Sequence, residues 1–391
     1  MNERFEYQIL DRRTHQPLEG GVLAPDQVAS YTMTKQWHAT GSGRIVLPVQ
    51  HLPNNVLNAL IKGTAEVRMY IESLDKNGAV QTEDFIGLPD RVSIQYAVDN
   101  VVTHNVFNRK NFIIILGGGN NTESRIVDRI VNASSIADVG VNERKLDQRQ
   151  SAYSASTINS GLAEINKTSR RSIAVSVADD TGSENAGMVT VHMRDPKVYF
   201  DRRVIRSDGV RYTNYGGATA GEYIYNLIQN EVLTTHGQRP AIDASIRIQN
   251  QQIGQFVSRE QTWENLGQAI RDSLEISKLG MRYALVDGAI EYEVHTIRDR
   301  TFGENKLIVN NVFIERNDIQ PGDLVLYEGW IEGRSEPYLD ATPLPCSSRT
   351  ISVSENGKIS ITTPLGQEDR DPTLIGSERA FRTTNTEAVI G

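Results

Sequence analysis

Residues 279–296, LGMRYALVDGAIEYEVHT, restrict the fold more than any other stretch. Asp287-Gly288 is a two-residue turn signal, because a type I′ turn needs positive φ at both central positions. A loop of that length leaves one register, with Leu285 opposite Ile290, Tyr283 opposite Tyr292 and Met281 opposite Val294. These six side chains share one face. On the other, Arg282 meets Glu293 and Ala284 meets Glu291, so charge and size agree with the same register. Upstream, Trp263, Leu266, Ile270 and Leu274 recur at spacings of three and four, which predicts a helix with one apolar stripe. Ser258 with Gln261, or Thr262, is the expected N-terminal cap, and Gly280 after Leu279 the expected left-handed stop. Helix stripe and hairpin face should bury each other in an α+β module, which by itself says nothing about chemistry.

The whole chain has 391 residues, room for two to four domains at about 100–200 residues each. Apolar content of 38% with only 7% aromatic residues favours several small β-rich units over one large core. The net charge of −8 makes the chain a poor match for gripping phosphate backbones, which takes clustered Lys and Arg. Such a chain can still line a passage through which DNA slides. Cys346 is the only cysteine, so no disulfide framework or thiolate metal site is expected, and assembly belongs in a reducing cytoplasm. MNERFEYQILDRR lacks the apolar segment of a signal peptide. The longest apolar run, 112–116, is far too short to span a bilayer, so a soluble chain with no stable membrane insertion is expected.

Four regions follow from the patterning. Residues 1–116 alternate short strand patterns (FEYQIL, VASYTMTKQW, RIVLPV, AEVRMYIESL, AVQTEDFIGL, RVSIQYAV, NFIIIL) with turn signals, Asn77-Gly78 among them, and predict a small β-barrel or sandwich, which the resemblance described below makes a tube-like barrel. Residues 117–170 change character. Ile126, Ile130 and Val131 stand at helical spacing after a Thr122 or Ser124 cap, and the polar stretch 141–171 reads as a surface helix pair or as a mobile, partner-covered insertion. Residues 171–306 form an α+β module with a second barrel-like part. They include a helix over 221–236 with Ile224, Leu227, Ile228 and Val232 inward, and a hairpin in SIRIQNQQIGQFV. Residues 307–391 carry a Pro321-Gly322 turn, then Leu324, Leu326 and Trp330 on one face, and weak strands at RTISVS and KISITT. Few large apolar residues follow 335, so this tail is expected to order mainly against a neighbouring subunit or tip protein.

No constellation builds an active site. FIIILGGGNNTESRIVDRI offers strand, glycine loop and helix, but after Gly117 and Gly119 the third fingerprint position is Thr122, and no phosphate-loop Gly-Lys-Ser/Thr is present. A glycine-rich strand exit accounts for it. None of His15, His38, His51, His104, His192, His236 and His295 lies three or four residues from another, as ligands on one helical turn would. His295, beside Glu293, reads as a solvated or paired side chain. Cys346 lies in a loop with no histidine nearby in sequence, and Gly-x-Ser-x-Gly is absent. Glu291 and Glu293 stand roughly 7 Å apart on one hairpin face, a spacing open to glycosidases, yet Arg282 opposite favours a solvated face. Arg298, Asp299 and Arg300 read as a charge run that stops edge pairing. Catalytic, cofactor and metal residues are all expected to be absent.

The order of elements resembles the baseplate-hub, or tail-tip hub, proteins of long-tailed bacteriophages with non-contractile tails. VASYTMTKQWHATGSGRIVLPV is similar to their first hairpin. MVTVHMRDPKVYFDRRVI is similar to a strand leading into a double arginine, and GEYIYNLIQNEV with GQRPAI to the next helix and its Arg-Pro exit. QTWENLGQAIRDSLEISKLGMRYALVDGAIEYEVHTIRDRT, closing on Asp299, Arg300 and Thr301, is the nearest match, and QPGDLVLYE resembles the Gly-Asp strand of tail-tube-like domains. The likeness spans about 5–50 and 195–330. It implies a virion structural protein and not an enzyme: a homotrimer whose paired barrels meet a six-fold tail tube around an axial channel, with DNA only in transit. Implied partners are the tail tube or distal tail protein, tip or receptor-binding proteins and the tape-measure protein. A six-copy distal tail adaptor and a tail-associated wall hydrolase are the alternatives.

Overall fold

A computed structural model describes residues 4–74, 80–97, 100–106, 109–118, 127–148, 154–169, 172–177, 187–206, 218–237, 239–242, 245–257, 263–303, 306–310, 319–329, 331, 333, 335–354, 359–366 and 389–390. Asn77-Gly78 and Trp330 lie outside these residues, as do the Ser258, Gln261 and Thr262 cap and most of the glycine loop after Gly118.

The first hundred residues form β1 (Arg4–Asp11), β2 (Pro17–Leu23), β3 (Ser30–Gln36), β4 (Ser42–Pro48), α1 (Asn54–Lys62), β5 (Ala65–Leu74), β6 (Val80–Ala97) and β7 (Asn100–Asn105). The two strand patterns around Pro89 are one strand of 18 residues. The first half of β6 pairs with β5 and the second with β7. Alternation sends Tyr7, Ile9, Ile45, Leu47, Val67, Met69, Phe85 and Val92 into one core, covered by Val56 and Leu60 of α1.

Next come β8 (Phe112–Leu116), β9 (Val127–Val131), α2 (Ala133–Val139), β10 (Glu143–Asp147) and α3 (Ser154–Thr168). All five residues of β8 are buried, as suits a strand between neighbours: β9 pairs with it antiparallel and β10 parallel. Ile130 and Val131, expected on a helix, lie in β9. The polar stretch beyond them holds β10 and α3, with α3 packed so closely that a Cβ on Gly161 would stand 2.3 Å from Ile115.

Further on, β11 (Ser172–Val177) pairs with β7, and β12 (Met188–Arg194) inserts between β4 and β6. The β6–β12 register shifts beside Pro89, which has no N–H to donate. After α4 (Val198–Asp201) and β13 (Ala218–Thr219), α5 (Ala220–Ile228) runs into a π-turn at Gln229–Leu233. Ile224, Leu227, Ile228 and Val232 are fully buried, as their spacing predicts.

The module 246–296 contains β14 (Ile246–Ile248), β15 (Phe256–Val257), α6 (Leu266–Ile276), β16 (Leu279–Val286) and β17 (Ala289–Thr296). The β16–β17 register is the one the Asp287-Gly288 turn dictates, with φ of 48° and 71° at those residues. Four expectations fail nearby. Asn265 caps α6 by accepting from Gln268 N at 3.0 Å, and Trp263 precedes the helix at φ 55° to pack against Phe112 and Val141. Lys278, φ 53°, takes the left-handed stop, while Gly280 is a β16 residue over which Trp37 lies. SIRIQNQQIGQFV makes no hairpin, since β14 pairs parallel with β17 and β15 antiparallel with β13.

Last are β18 (Arg298–Asp299), β19 (Ile308–Asn310), β20 (Asp323–Gly329), β21 (Leu339–Pro345), β22 (Ser348–Val353) and β23 (Ile359–Thr362). Arg298 and Asp299 do not stop pairing; they pair with β20. Val325 and Tyr327, not Leu324 and Leu326, enter the small core there. β22 and β23 do not wait for a neighbouring subunit, because β22 pairs with β3 and sends Ile351 into the first core, where Ile361 joins it.

The fold is a β-rich α+β arrangement. Its main sheet runs β2-β1-β5-β6-β12-β4-β3-β22-β23 and ends on the short strand β24 (Val389–Ile390), with β7 and β11 branching from β6. Among the described residues no pairing joins its ends, so the expected closed barrel is an open sheet folded over one core.

Candidate functional site

Two buried joints hold the units together. At the first, Trp37 at the end of β3 donates its backbone N–H to Ser347 O (2.9 Å) and accepts from Met281 N (3.3 Å). Its ring lies on Gly280 and Gly322 and meets His295 edge-on, with centroids 4.5 Å apart. Glu83 stands close by, paired to Lys35 (2.6 Å) and Arg349 (3.4 Å) and accepting from Gln320 (3.0 Å). Burial alone would raise its pKa. The two cations outweigh that and hold it down at about 2.

The second joint is ionic. Glu143 of β10 is enclosed, and it accepts from Arg203 Nη1 (2.8 Å), Arg239 Nη2 (2.7 Å) and Val204 N (2.8 Å). Arg239 also binds Glu231, whose carboxylate lies 3.4 Å from Arg206 Nε. Against the penalty of burial, Arg203 and Arg239 keep the Glu143 carboxyl below its ordinary range. This cluster ties the 109–169 unit to α5 and to the loop after α4. The double arginine 202–203 and the Arg239-Pro240 exit are visible in sequence; Glu143, the shared partner of Arg203 and Arg239, is not.

On the outer face of the main sheet, one cross-strand row reads Asn105, Arg91, His192, Arg44, Thr32, Ser352 and Ser360. Every member is polar, while neighbours such as Val92, Val191, Ile45 and Ile351 point into the core. Ser93 and Thr103 join hydroxyls at 3.0 Å on the same face, as do Thr34 and Thr350 at 2.8 Å. Arg91 Nη2 lies 3.1 Å from His192 Nε2, and Arg194 Nε lies 3.3 Å from Asp90. Burial, then Arg91 and Arg44, lower the His192 pKa. A cavity of about 620 Å³ opens over this part of the face.

The residues weighed in the sequence do not converge. His15 is buried against Glu66 (2.6 Å), His236 Nε2 lies 2.7 Å from Asn230 O, and His38 stacks beside Trp37. His104 is buried in β7 and His51 half-buried in a surface turn. His295, read as solvated or paired, lies half-buried on Trp37, where burial and then Arg282 lower its pKa to about 4. Cys346 is buried, its Sγ 3.3 Å from Ser348 O and its thiol pushed up to about 12 by burial, which removes its nucleophilic form at neutral pH. Glu293 is held by Arg282 (2.7 Å) and Glu291 by Gln249. Arg298 binds Asp323 through two contacts of 2.6 Å. Among the described residues no group of three His, Cys, Asp or Glu is placed to hold a metal, and no helix is long and apolar enough to cross a membrane.

No family model and no curated protein matches the chain. Solved structures do. One is the Escherichia coli c3393 protein, described as a type VI secretion component with structural similarity to the T4 bacteriophage tail proteins gp27 and gp5. It matches at 8% identity and TM-score 0.37 over 88% of this chain and 74% of its own. A tail protein from Neisseria meningitidis MC58 matches at 8% identity and TM-score 0.38, covering 93% and 97%. A Francisella PdpA-VgrG complex matches at 9% identity and TM-score 0.37 over 93% of this chain and 57% of its own. Likeness of this depth assigns no role by itself. The neighbours are phage-tail-like proteins and a type VI secretion component.

Proposed function

We propose that the chain is a structural tail protein, the hub that ends a tail tube and joins it to tip or receptor-binding proteins. In this reading three copies surround an axial channel, the tube or distal tail protein meets one end, the tape-measure protein reaches the channel, and DNA passes without being held. The protein is assembled in the host cytoplasm and resides in the virion.

The observation that carries this reading is an open, many-stranded sheet whose outer face carries an all-polar cross-strand row from β7 to β23. Such a sheet is built to be packed against, and its end strands can extend across subunits. The ordered resemblance of its strands and helices to tail-tip hubs supports the same role. The test is the native mass of the purified chain together with a cryo-EM map of the assembled tail. Three copies around the tail axis are expected. Six copies would favour the distal tail adaptor, and a stable monomer absent from the axis would overturn the hub. Clearing of peptidoglycan by the pure chain would point to the wall hydrolase.

A further inference from the structure

We propose that the arginine face around Arg44, Arg91 and Arg194 is a subunit contact whose occupant is an acidic surface of a second copy of this chain. The inference rests on the ring-forming role above and names the residues that close the ring. Three arginines and one carboxylate, Asp90, share the cavity of about 620 Å³, and Arg194 occupies that carboxylate at 3.3 Å. Among the described residues no carboxylate lies within ion-pair distance of Arg44 or Arg91, and both side chains are exposed. The neighbour of Arg91 is the His192 imidazole, 3.1 Å away, which is neutral or cationic but never anionic and so offers no counter-charge.

Elsewhere several arginines are matched to a carboxylate: Arg68 with Asp84, Arg203 with Glu143, Arg271 with Asp201, Arg298 with Asp323. The surrounding Thr32 and Asn105 add hydrogen-bonding groups without charge. A chain of net charge −8 that bears this cationic face is complementary to itself, patch to unlike patch. A contact between unlike patches is heterologous and closes into a ring when the rotation allows. Duplex DNA would match the same cations. A channel lined by them would retain the duplex through counterion release, so the face belongs between subunits and not toward passing DNA.

The test compares the wild-type chain with R44E/R91E and R44A/R91A by sedimentation at low and high salt, with circular dichroism and melting as fold controls. Both arginines are exposed, so the fold should survive. A wild-type trimer that falls to monomer in R44E/R91E, associates at least tenfold more weakly in R44A/R91A and loosens with salt supports the contact. Trimers that persist in both variants overturn the contact and leave the ring standing. A wild-type monomer at every concentration overturns ring and contact together. Labelled duplex DNA held by the wild type and released by R44E/R91E would assign the face to nucleic acid and overturn the protein occupant.

Discussion

Glu143 is a single carboxylate with two guanidiniums and a backbone N–H on it, all out of reach of water. Its replacement by Gln leaves Arg203 and Arg239 sharing a site with reduced counter-charge, and a broken buried pair costs about 3–5 kcal/mol. Denaturant unfolding of Glu143→Gln should show that loss, whereas Glu293→Gln, which breaks the exposed pair with Arg282, should stay within about 1 kcal/mol. Equal losses would mean that Glu143 is not the joint. Among the groups that shape the acid limb of stability, His295 and Glu83 have placed midpoints. His295, lowered to about 4, takes up fewer protons folded than unfolded, so its contribution is complete above its ordinary 6.5 and is lost as pH falls toward 4. Glu83, lowered to about 2, gives a contribution complete above 4.5 and lost toward 2. Replacing His295 with Phe keeps a ring on Trp37, and melting scans should then show a flatter dependence between pH 6.5 and 4 with the lower limb unchanged.

At the scale of elements, what could be read locally depended on how far away the deciding contact lay. The β16–β17 register was legible because turn type, apolar alternation and the Arg282–Glu293 pair all sit within eighteen residues. Tyr292 is fully enclosed and its hydroxyl donates to Pro196 O at 2.7 Å. Tyr292→Asp should therefore cost several kcal/mol, the scale of a buried unpaired charge, while Glu291→Lys on the opposite face should cost little. Similar melting of the two variants would mean the faces are assigned wrongly. Gly280 was misread because the group that requires a glycine there is Trp37, which arrives from β3. Gly322 serves the same ring at φ 93°, where a Cβ would stand 1.7 Å from it. Gly322→Ala should cost about 1–3 kcal/mol from overlap, with positive-φ strain in addition, and should shift Trp37 fluorescence. An unshifted spectrum would show that the ring does not depend on that contact. The charged joint was illegible for the same reason: Arg203 and Arg239 stand in quotable motifs, but nothing in ERKLDQRQ marks Glu143 as the one carboxylate turned inward.

At the scale of the whole molecule, composition misjudged the end of the chain. Residues after 335 hold too few large apolar side chains for a core of their own, which suggested that they order against a partner. A strand needs no core of its own when it joins an existing sheet. β22 contributes Ile351 and β23 Ile361, and the remaining cover comes from Tyr31, Met33 and Ile45 on strands already in place. Arg349, almost wholly enclosed, donates to Ile319 O at 2.7 Å and pairs with Glu83, which fastens the strand from its other end. Backbone amides shared between β22 and β3 should therefore exchange slowly in the purified chain, on the scale of the β3–β4 amides, with no tail present. A deletion from residue 347 onward should bare one edge of β3, uncover Tyr31 and Met33, and lower the cooperative unfolding transition of the entire first core. Fast exchange across 348–353 in the free chain, slowed only on assembly, would return these strands to a neighbouring subunit and remove them from this core.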